Sequence, residues 1–593
     1  MKRLLSLLLV LAMLAGLFGI TATAFAPQDE LTWQLTPYPV ILIHGLLQSD
    51  VFLYEDDARV YPHREPFPEF DESALIRQLL FPLLSSLLLQ MDLGLSRNLR
   101  SALLDSTELM RMDEYGRLLH DFRVVRYRYS LAELTEAERE RVYNTLPIRG
   151  LSEHVGEENV YFFTYNSFGN HRDNVDELYE FIQFVRDRHG ADRVNLVPIS
   201  LGGTLFNGLV EYYPHVHSQL SNVVLTVAAM DGSNLAGDLF ARNLRFDNLN
   251  LYHTLFPELL GDNVLGTLAN IALRFVSKPL LMRILNTVID TLIGEVLSYH
   301  TMMLALVPSW QFEQVRDLWL TGESHAHILE QAEAYHQAQL NARDNIQSII
   351  DQGGRVYLIA EFDYVSALPI GLNHAMNGDG LIAVHSAGLG VTAAPFGQTL
   401  SAEHIAGVAP RYISPCEVVD VSTALLPDHT WLFKEQDHEG TGRSDVIIRL
   451  ITRLATDAEH VDVFSMPEWP QFNWGRETRN HYWIQQDLLR MLNDPERNLT
   501  AEQRAQLEEA VAIADAMFAN THVDPAKTEA AYHALHDALV AVGYRNPRTE
   551  PSSPNILQRG FSTAMGWLNT FLYFVIGPRG FIDPFWRMWT VRW

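Results

Sequence analysis

From Pro39 onward, short apolar segments alternate with segments of helical periodicity, and this alternation constrains the fold more than any other feature. The apolar segments are rich in β-branched or aromatic residues, as strands buried on both faces are. They lie at 39–43, 159–165, 193–199, 222–230, 355–361 and 416–421. Strands that alternate with helices indicate an α/β domain with a mainly parallel sheet.

Two long insertions interrupt this alternation, at about residues 50–156 and 232–351. Each follows the end of a predicted strand, where α/β proteins build their binding sites. The apolar run 74–95 in the first insertion is not a membrane span, because charged residues and a proline interrupt it. The second insertion has little strand signal and many apolar residues. It is predicted either to cap a binding cleft or to form a helical packing layer.

The N-terminal residues 1–24 are predicted to be a secretory signal peptide. Lys2 and Arg3 precede an apolar stretch at 4–20, and small residues at 22–24 form a cleavage site. We therefore expect a secreted, extracellular protein.

Composition limits the class of partner. The formal net charge of −28 argues against binding to nucleic acid or to anionic membrane surfaces by charge. With 47% hydrophobic and 20% charged residues, the chain is of the globular type. Its single cysteine, Cys416, excludes an internal disulfide bond, so stability must come from the core.

Residues 25–475 are assigned to the main domain, and the chain changes character beyond it. Residues 476–546 are predicted to form a small alanine-rich helical module, with helices at 483–492, 500–520 and 524–542. Residues 547–593 begin as a Pro/Ser linker and continue as an apolar, aromatic tail with arginines. Such a tail suits association with a membrane or cell surface, and the alternative is that it packs back on the main domain.

The third predicted strand leads into a serine followed by two glycines, the arrangement of a nucleophile elbow. Residues 196–203 read LVPISLGG, with Ser200 at the strand-to-helix turn. At such a turn the hydroxyl projects above the sheet, and the glycines let a helix pass close behind it. Pro198 departs from the usual Gly-x-Ser-x-Gly, because it occupies the place of the first glycine. Its fixed φ and missing amide predict an effect on the local backbone geometry.

Two backbone amides are candidates for stabilising an oxyanion beside this serine. Acyl transfer at a serine needs such donors. The residues His44, Gly45 and Leu46 follow the first strand, and Gly45 allows a tight turn that directs the Leu46 amide into the site. The second candidate is the Leu201 amide at the start of a helix, where the helix dipole favours an anion.

The acid that would orient a catalytic base is expected downstream of the serine. The preferred residue is Asp379, in the glycine-flanked turn 377–380 before a short apolar segment. Asp363, just past the strand at 355–361, and Asp231, after the strand at 222–230, remain alternatives.

The base is expected on a loop between the last strand and the last helix of the sheet. His438 lies in such a loop, after the predicted strand 416–421 and before a helical pattern at 446–454. His429 is the alternative, and is interpreted as a surface or supporting histidine.

The order Ser200, Asp379, His438 is the chain order of α/β-hydrolases. Together with His44–Leu46 and the segment 194–203, it gives residues 37–456, less the insertions, a resemblance to a known family. This part of the chain resembles a secreted α/β-hydrolase of the lipase/esterase branch, and is similar to the lecithin:cholesterol acyltransferase-like group. The sequence departs from that group at Pro198 and at 230–233, where Met-Asp-Gly-Ser replaces a Thr-Pro-His-x-Gly run.

The resemblance implies a Ser-His-Asp esterase with a lid, acting on lipid or other acyl esters. His438 would accept the proton of Ser200, and Asp379 would orient His438. Two alternatives use the same fold: a catalytically inactive surface-binding protein, and an acyltransferase with the same three residues. No metal or cofactor is predicted.

Overall fold

The computed structural model describes residues 33–61, 88–146, 148–245, 276–364, 371–466, 469–474 and 498–518, with isolated residues between these ranges. The predicted signal peptide and the C-terminal tail lie outside the described residues, as do most of the predicted helices 483–492 and 524–542. Among the helices that are described, none is long and apolar enough to cross a membrane.

The strands of the described chain form one large sheet and two small ones. In chain order they are β1 Val40–Ile43, β2 Val51–Glu55, β3 Ala58–Arg59, β4 Phe122–Val124, β5 Val160–Phe163, β6 Val194–Pro198, β7 Leu220–Thr226, β8 Arg355–Phe362, β9 Thr392–Ala393, β10 Val419–Asp420, β11 Thr430–Lys434 and β12 Phe472–Trp474. Seven strands make the central sheet, in the order β12-β11-β8-β7-β6-β1-β5, and every neighbouring pair is parallel. The predicted α/β architecture with a mainly parallel sheet is confirmed.

Helices lie on both faces of this sheet. The α-helices of the described chain are, in order, α1 Leu95–Ser106, α2 Glu136–Thr145, α3 Arg149–Val155, α4 His171–His189, α5 Gly202–Tyr212, α6 Asn234–Phe240, α7 Lys278–Ile289, α8 Thr301–Leu304, α9 Phe312–Trp319, α10 Ala326–Asp351, α11 Val384–Ala387, α12 Ala402–Ala406, α13 Asp445–Thr456 and α14 Ala501–Phe518. A π-helical segment, Asp290–Val296, continues α7. Gly190 ends α4 in the left-handed conformation that is common at helix C-termini.

Side chains of β1 alternate between two separate cores. Ile41 and Ile43 of β1 belong to a first core, which also contains the apolar faces of α4, α5 and α10. Val40 and Leu42 of the same strand belong to a second core, formed with α2, α3 and α13. Because successive side chains of a strand point to opposite faces, these two cores mark the two faces of the sheet.

The strand predicted at 416–421 is not part of the central sheet, and that prediction is wrong. Within it only Val419–Asp420 is extended, and it pairs antiparallel with β9 in a two-stranded ribbon. Its place before His438 is taken by β11, which pairs in parallel with β8 and β12. Both segments are short apolar runs, and hydrophobic pattern alone does not decide which one joins a sheet.

The two predicted insertions differ in structure. The first contains the antiparallel sheet β3-β2-β4, and its α1 packs against α7 of the second. In the second, the 26-residue helix α10 packs against α5 and β8 and forms part of the helical layer on one face of the sheet. Leu239 of α6, Ile293 of the π-helical segment and Met303 of α8 line instead a cavity shared with Ser200, which follows β6.

Candidate active site

The candidate site lies where the chain changes direction across the sheet. β1 is followed in the sheet by β5 on one side, whereas β6 pairs with β1 on the other side. The loops that leave the carboxyl ends of β1 and β6 therefore diverge, and parallel sheets form ligand crevices at such a switch point. At this switch point, the residues His44–Leu46 follow the end of β1, and Ser200 follows the end of β6.

Ser200 occupies a tight turn between β6 and α5. Its φ is 53°, in the left-handed region that residues other than glycine rarely adopt. Its amide donates to the carbonyl of Thr226 (3.1 Å), and its carbonyl accepts from Gly203 (2.9 Å) and Ala229 (3.0 Å). These bonds fix the turn on β7 and on the following helix, which is the geometry of a nucleophile elbow.

Two glycines allow the close packing around this serine. A Cβ atom at Gly202 would stand 2.7 Å from the carbonyl oxygen of Ile43 and 2.8 Å from that of His44. A Cβ atom at Gly45 would stand 3.0 Å from the Cβ atom of Ser200. The loop after β1 therefore lies directly against the serine, and larger residues would separate them.

Pro198 does not prevent this turn. The next two amides alternate between neighbouring strands, since Ile199 donates to Ile43 of β1 (2.9 Å) and Ser200 donates to Thr226 of β7. By the same alternation, the amide that Pro198 lacks would face β7. The pairing of β6 with β7 is irregular between Val194 and Leu196, so the missing donor lies on the less regular side of the strand.

The structure brings together the serine, histidine and aspartate singled out in the sequence. Nε2 of His438 lies 2.8 Å from Oγ of Ser200, and Nδ1 lies 2.6 Å from Oδ2 of Asp379. The other carboxylate oxygen of Asp379 accepts the amides of Leu381 (2.8 Å) and Ile382 (2.7 Å). One oxygen is thus held by the backbone while the other faces the imidazole. In acyl-transfer enzymes such a line of hydrogen bonds activates the serine.

The charge of Asp379 governs the protonation of His438. Burial alone would lower the pKa of His438, but the adjacent Asp379 carboxylate and its hydrogen bond outweigh burial and raise that pKa above its usual 6.5. The Asp379 side chain is only 1% exposed and that of His438 13%. An imidazolium formed here would therefore be stabilised by a fixed, desolvated carboxylate.

The alternative acids and base lie elsewhere. Asp363 pairs with the ammonium of Lys434 (3.0 Å), and Asp231 accepts the amide of Ser309 (2.8 Å). His429 stacks on His460, and their Nε2 atoms are 2.7 Å apart. None of these contacts involves Ser200, His438 or Asp379.

Both candidate oxyanion donors border the serine. Leu46 and Leu201 line the same cavity as Ser200, and no acceptor for either amide is found within the described part of the chain. Leu201 is the N-cap of α5, where the helix dipole adds positive potential.

A buried histidine and a buried tyrosine fix the loop after β1 by hydrogen bonds to its carbonyl groups. Nδ1 of His44 donates to the carbonyl of Gly45, while the Tyr165 hydroxyl donates to the carbonyls of His44 (2.8 Å) and Gly45 (3.3 Å). The two rings stack with centroids 4.1 Å apart. Burial lowers the pKa of His44 to about 3, so the ring is neutral. In a trans peptide, N–H points opposite to C=O. Anchoring the Gly45 carbonyl therefore directs the Leu46 amide away from the side on which His44 and Tyr165 hold the loop.

Tyr165→Phe tests this positioning role. We expect kcat for an ester to fall about tenfold, less than the 10²-fold or greater cost of removing an oxyanion donor itself. KM should stay nearly constant, because the oxyanion bond forms in the transition state. Steady-state kinetics separate the two parameters. The control Tyr129→Phe removes an exposed hydroxyl and should change neither; a rise in KM at constant kcat for Tyr165→Phe would contradict the role.

Sequence reasoning missed a second carboxyl group beneath the triad. Glu361, near the end of β8, is 1% exposed and accepts a hydrogen bond from Thr441, while its Oε2 has no partner in the described structure. Burial and then the neighbouring Asp379 charge raise the pKa of Glu361 well above its usual value. The environment of Glu361 therefore favours its protonated form. An acidic residue inside an otherwise apolar strand pattern was the available signal.

Glu361→Gln tests this protonation state through stability. A folded-state pKa raised above the unfolded value contributes stability below the unfolded pKa, and this contribution is lost as pH rises toward the folded pKa. Glutamine cannot ionise and does not lose this contribution. The melting temperature of the variant should therefore rise relative to that of the wild type as the pH increases from 4 to 8. Melting temperatures across this range provide the measurement. A difference that does not change with pH would show that Glu361 has an ordinary pKa.

A cavity of about 480 Å³ opens above these residues. Ser200, His438, Leu46 and Leu201 line it together with predominantly aliphatic side chains. A few polar groups among apolar walls are typical of sites for small organic ligands. In the part of the chain that is described, no cluster of three or more histidine, cysteine, aspartate or glutamate residues is placed to hold a metal ion.

No protein-family model matches this chain, and no curated protein or solved structure is significantly similar to it.

Proposed function

We propose that this protein is a secreted serine hydrolase that cleaves carboxylic esters, in particular lipid acyl esters, and that its sheet is that of an α/β-hydrolase of the lipase/esterase branch. The observation that carries the proposal is the line of hydrogen bonds from Ser200 through His438 to Asp379, beneath an apolar cavity. The predicted signal peptide supports an extracellular location.

Acylation begins with the proton of Ser200. His438 accepts it at Nε2, 2.8 Å away, as Oγ attacks the ester carbonyl. The imidazolium that forms keeps its Nδ1–H on Asp379, whose fixed charge stabilises it. The carbonyl oxygen becomes an oxyanion and receives hydrogen bonds from the amides of Leu46 and Leu201. His438 then protonates the leaving alkoxide, and the alcohol departs.

Deacylation repeats the same proton transfers with water. His438 removes a proton from a water molecule, which attacks the acyl group on Ser200. Collapse of the second tetrahedral intermediate returns the proton to Oγ and releases the carboxylic acid. An alcohol that replaces the water would give acyl transfer through the same residues.

The cavity wall favours an apolar substrate over a polar one. Its lining includes Leu239 and Phe240 of α6, Ile293 of the π-helical segment, and Met303 of α8. Burying each methylene of a substrate there contributes about 0.8 kcal/mol. The same elements line the cavity beside Ser200, and we propose that they act as its lid.

A fluorophosphonate probe tests the proposed function directly. This reagent phosphonylates a serine only when a nearby base and oxyanion donors activate it. We expect one equivalent of label on Ser200, with none on the denatured protein or on Ser200→Ala. A p-nitrophenyl ester series from acetate to decanoate should then show kcat/KM rising with chain length. A folded protein that is neither labelled nor active would favour the surface-binding alternative.

A further inference from the structure

The cavity above Ser200 is bordered by the first and the second core, and by Ile382 of a further core. One part of its lining, which we call the α6 arm, consists of residues of the first core or packed against it: Leu235, Leu239, Phe240, Ile293, Leu297 and Met303. Another part, the α13 arm, consists mainly of residues of the second core or packed against it: Leu146, Ile148, Leu151, Val197, Ile448 and Ile451.

The two arms lie on opposite faces of the sheet. Leu196 of β6 belongs to the first core and Val197 to the second, so the change of core follows the alternation of the strand. Ser200 follows both residues at the carboxyl edge of β6 and lines the cavity between the arms. The space therefore extends from the serine in two directions.

An ester bound at Ser200 has two substituents that leave the carbonyl carbon in different directions. The carbonyl oxygen is committed to the Leu46 and Leu201 amides, which leaves one direction for the acyl chain and one for the alcohol. Polar side chains such as Arg141, Asn144 and Glu439 also line the cavity, but each arm presents several aliphatic side chains to a substituent that enters it.

Resting on the proposed function, we infer that the natural substrate is an ester with an apolar group on each side of the scissile bond, the alcohol in the α13 arm and the acyl chain in the α6 arm. The assignment of the alcohol follows from His438. This residue must protonate the leaving alkoxide, and the segment that follows it, Thr441 to Ile451, forms one wall of the α13 arm.

Four short esters test whether both arms are used. Methyl acetate, pentyl acetate, methyl hexanoate and pentyl hexanoate vary the two sides independently, and titration of the released acid gives kcat/KM for each. One buried methylene is worth about fourfold. We therefore expect pentyl hexanoate to exceed both one-sided esters by at least about tenfold. A value equal to that of either one-sided ester would overturn the inference.

Two matched variants assign the arms. Leu235 in the α6 arm and Ile451 in the α13 arm are both only half-buried and both lie on helices, so a larger side chain can narrow the arm without filling a closed core. Ile451→Trp should reduce the gain from a pentyl over a methyl alcohol and leave the gain from a longer acyl chain. Leu235→Trp should do the opposite. Variants that reduce both gains equally, or exchange these effects, would contradict the assignment.

Failure of the proposed function would look different. None of the four esters would then be hydrolysed, or Ser200→Ala would hydrolyse them at the wild-type rate. Fluorophosphonate labelling counts the active sites in each preparation, so rates of the variants refer to folded protein. Should a variant not fold, the four wild-type rates still decide whether both arms are used.

Discussion

Ser200→Ala is expected to lower kcat for p-nitrophenyl octanoate on the order of 10⁶-fold, the cost known for losing the nucleophile of a serine triad. The hydroxyl of Ser200 is hydrogen-bonded to His438, which is bonded in turn to a buried carboxylate. Alanine leaves the imidazole without a proton donor and the substrate without a nucleophile. Remaining hydrolysis would come from the oxyanion donors and from substrate binding alone.

A serine outside the site is the appropriate control for this change. Ser218 is exposed and donates to the carbonyl of His215, so Ser218→Ala should leave the ester kinetics unchanged. Both variants should melt within a few degrees of the wild type, because neither removes a packed side chain. Ester hydrolysis by Ser200→Ala at the wild-type rate would exclude this serine as the nucleophile.

Asp379→Asn is expected to lower kcat about 10⁴-fold, as the same change does in a serine protease triad. Asparagine preserves the shape of the side chain, but it removes the charge that stabilises the imidazolium and allows the wrong imidazole tautomer. The pH profile should also change. His438 must be neutral to act as a base, and the Asp379 carboxylate raises its pKa above 6.5. The acid limb of kcat/KM should therefore move to lower pH in Asp379→Asn.

The alternative acid supplies a matched control. Asp363 pairs with Lys434, and no hydrogen bond between Asp363 and His438 is found in the described structure, so Asp363→Asn should retain activity and the wild-type acid limb. The comparison uses the same substitution at two aspartates on the loops after β8. If Asp363→Asn lost activity while Asp379→Asn kept it, Asp363 would be the acid and the described arrangement would not be the functional one.

The candidate site was readable from sequence because its chemistry depends on chain order and strand ends. Ser200 follows a strand and precedes two glycines, and Asp379 and His438 come after it in a fixed order. The strand before His438 was not readable, because residues 416–421 and 430–434 have similar apolar patterns. Pairing with β8, a long-range contact, decides between them.

The residues that support the site through long-range contacts could not be predicted from the sequence. Tyr165 reaches the carbonyls of His44 and Gly45 from 121 and 120 residues away in the chain. Glu361 is defined by its burial and by the charge of Asp379, and neither property is local. The sequence also left open whether the second insertion caps a cleft or forms a packing layer. Its parts differ in this respect, since α10 packs on the sheet while Ile293 and Met303 line the cavity.

The left-handed backbone conformation of Ser200 lowers the stability of the fold at the residue on which the proposed activity depends. A non-glycine residue held in this region costs on the order of 1–3 kcal/mol, a sizeable part of the net stability of a domain. Glycine would adopt the φ of 53° without that cost, but it has no hydroxyl to offer. Selection for heat resistance alone would therefore favour glycine at position 200 and yield a sturdier protein without a nucleophile. A search for thermostable variants should keep Ser200 unchanged and look for stabilising substitutions in the hydrophobic cores.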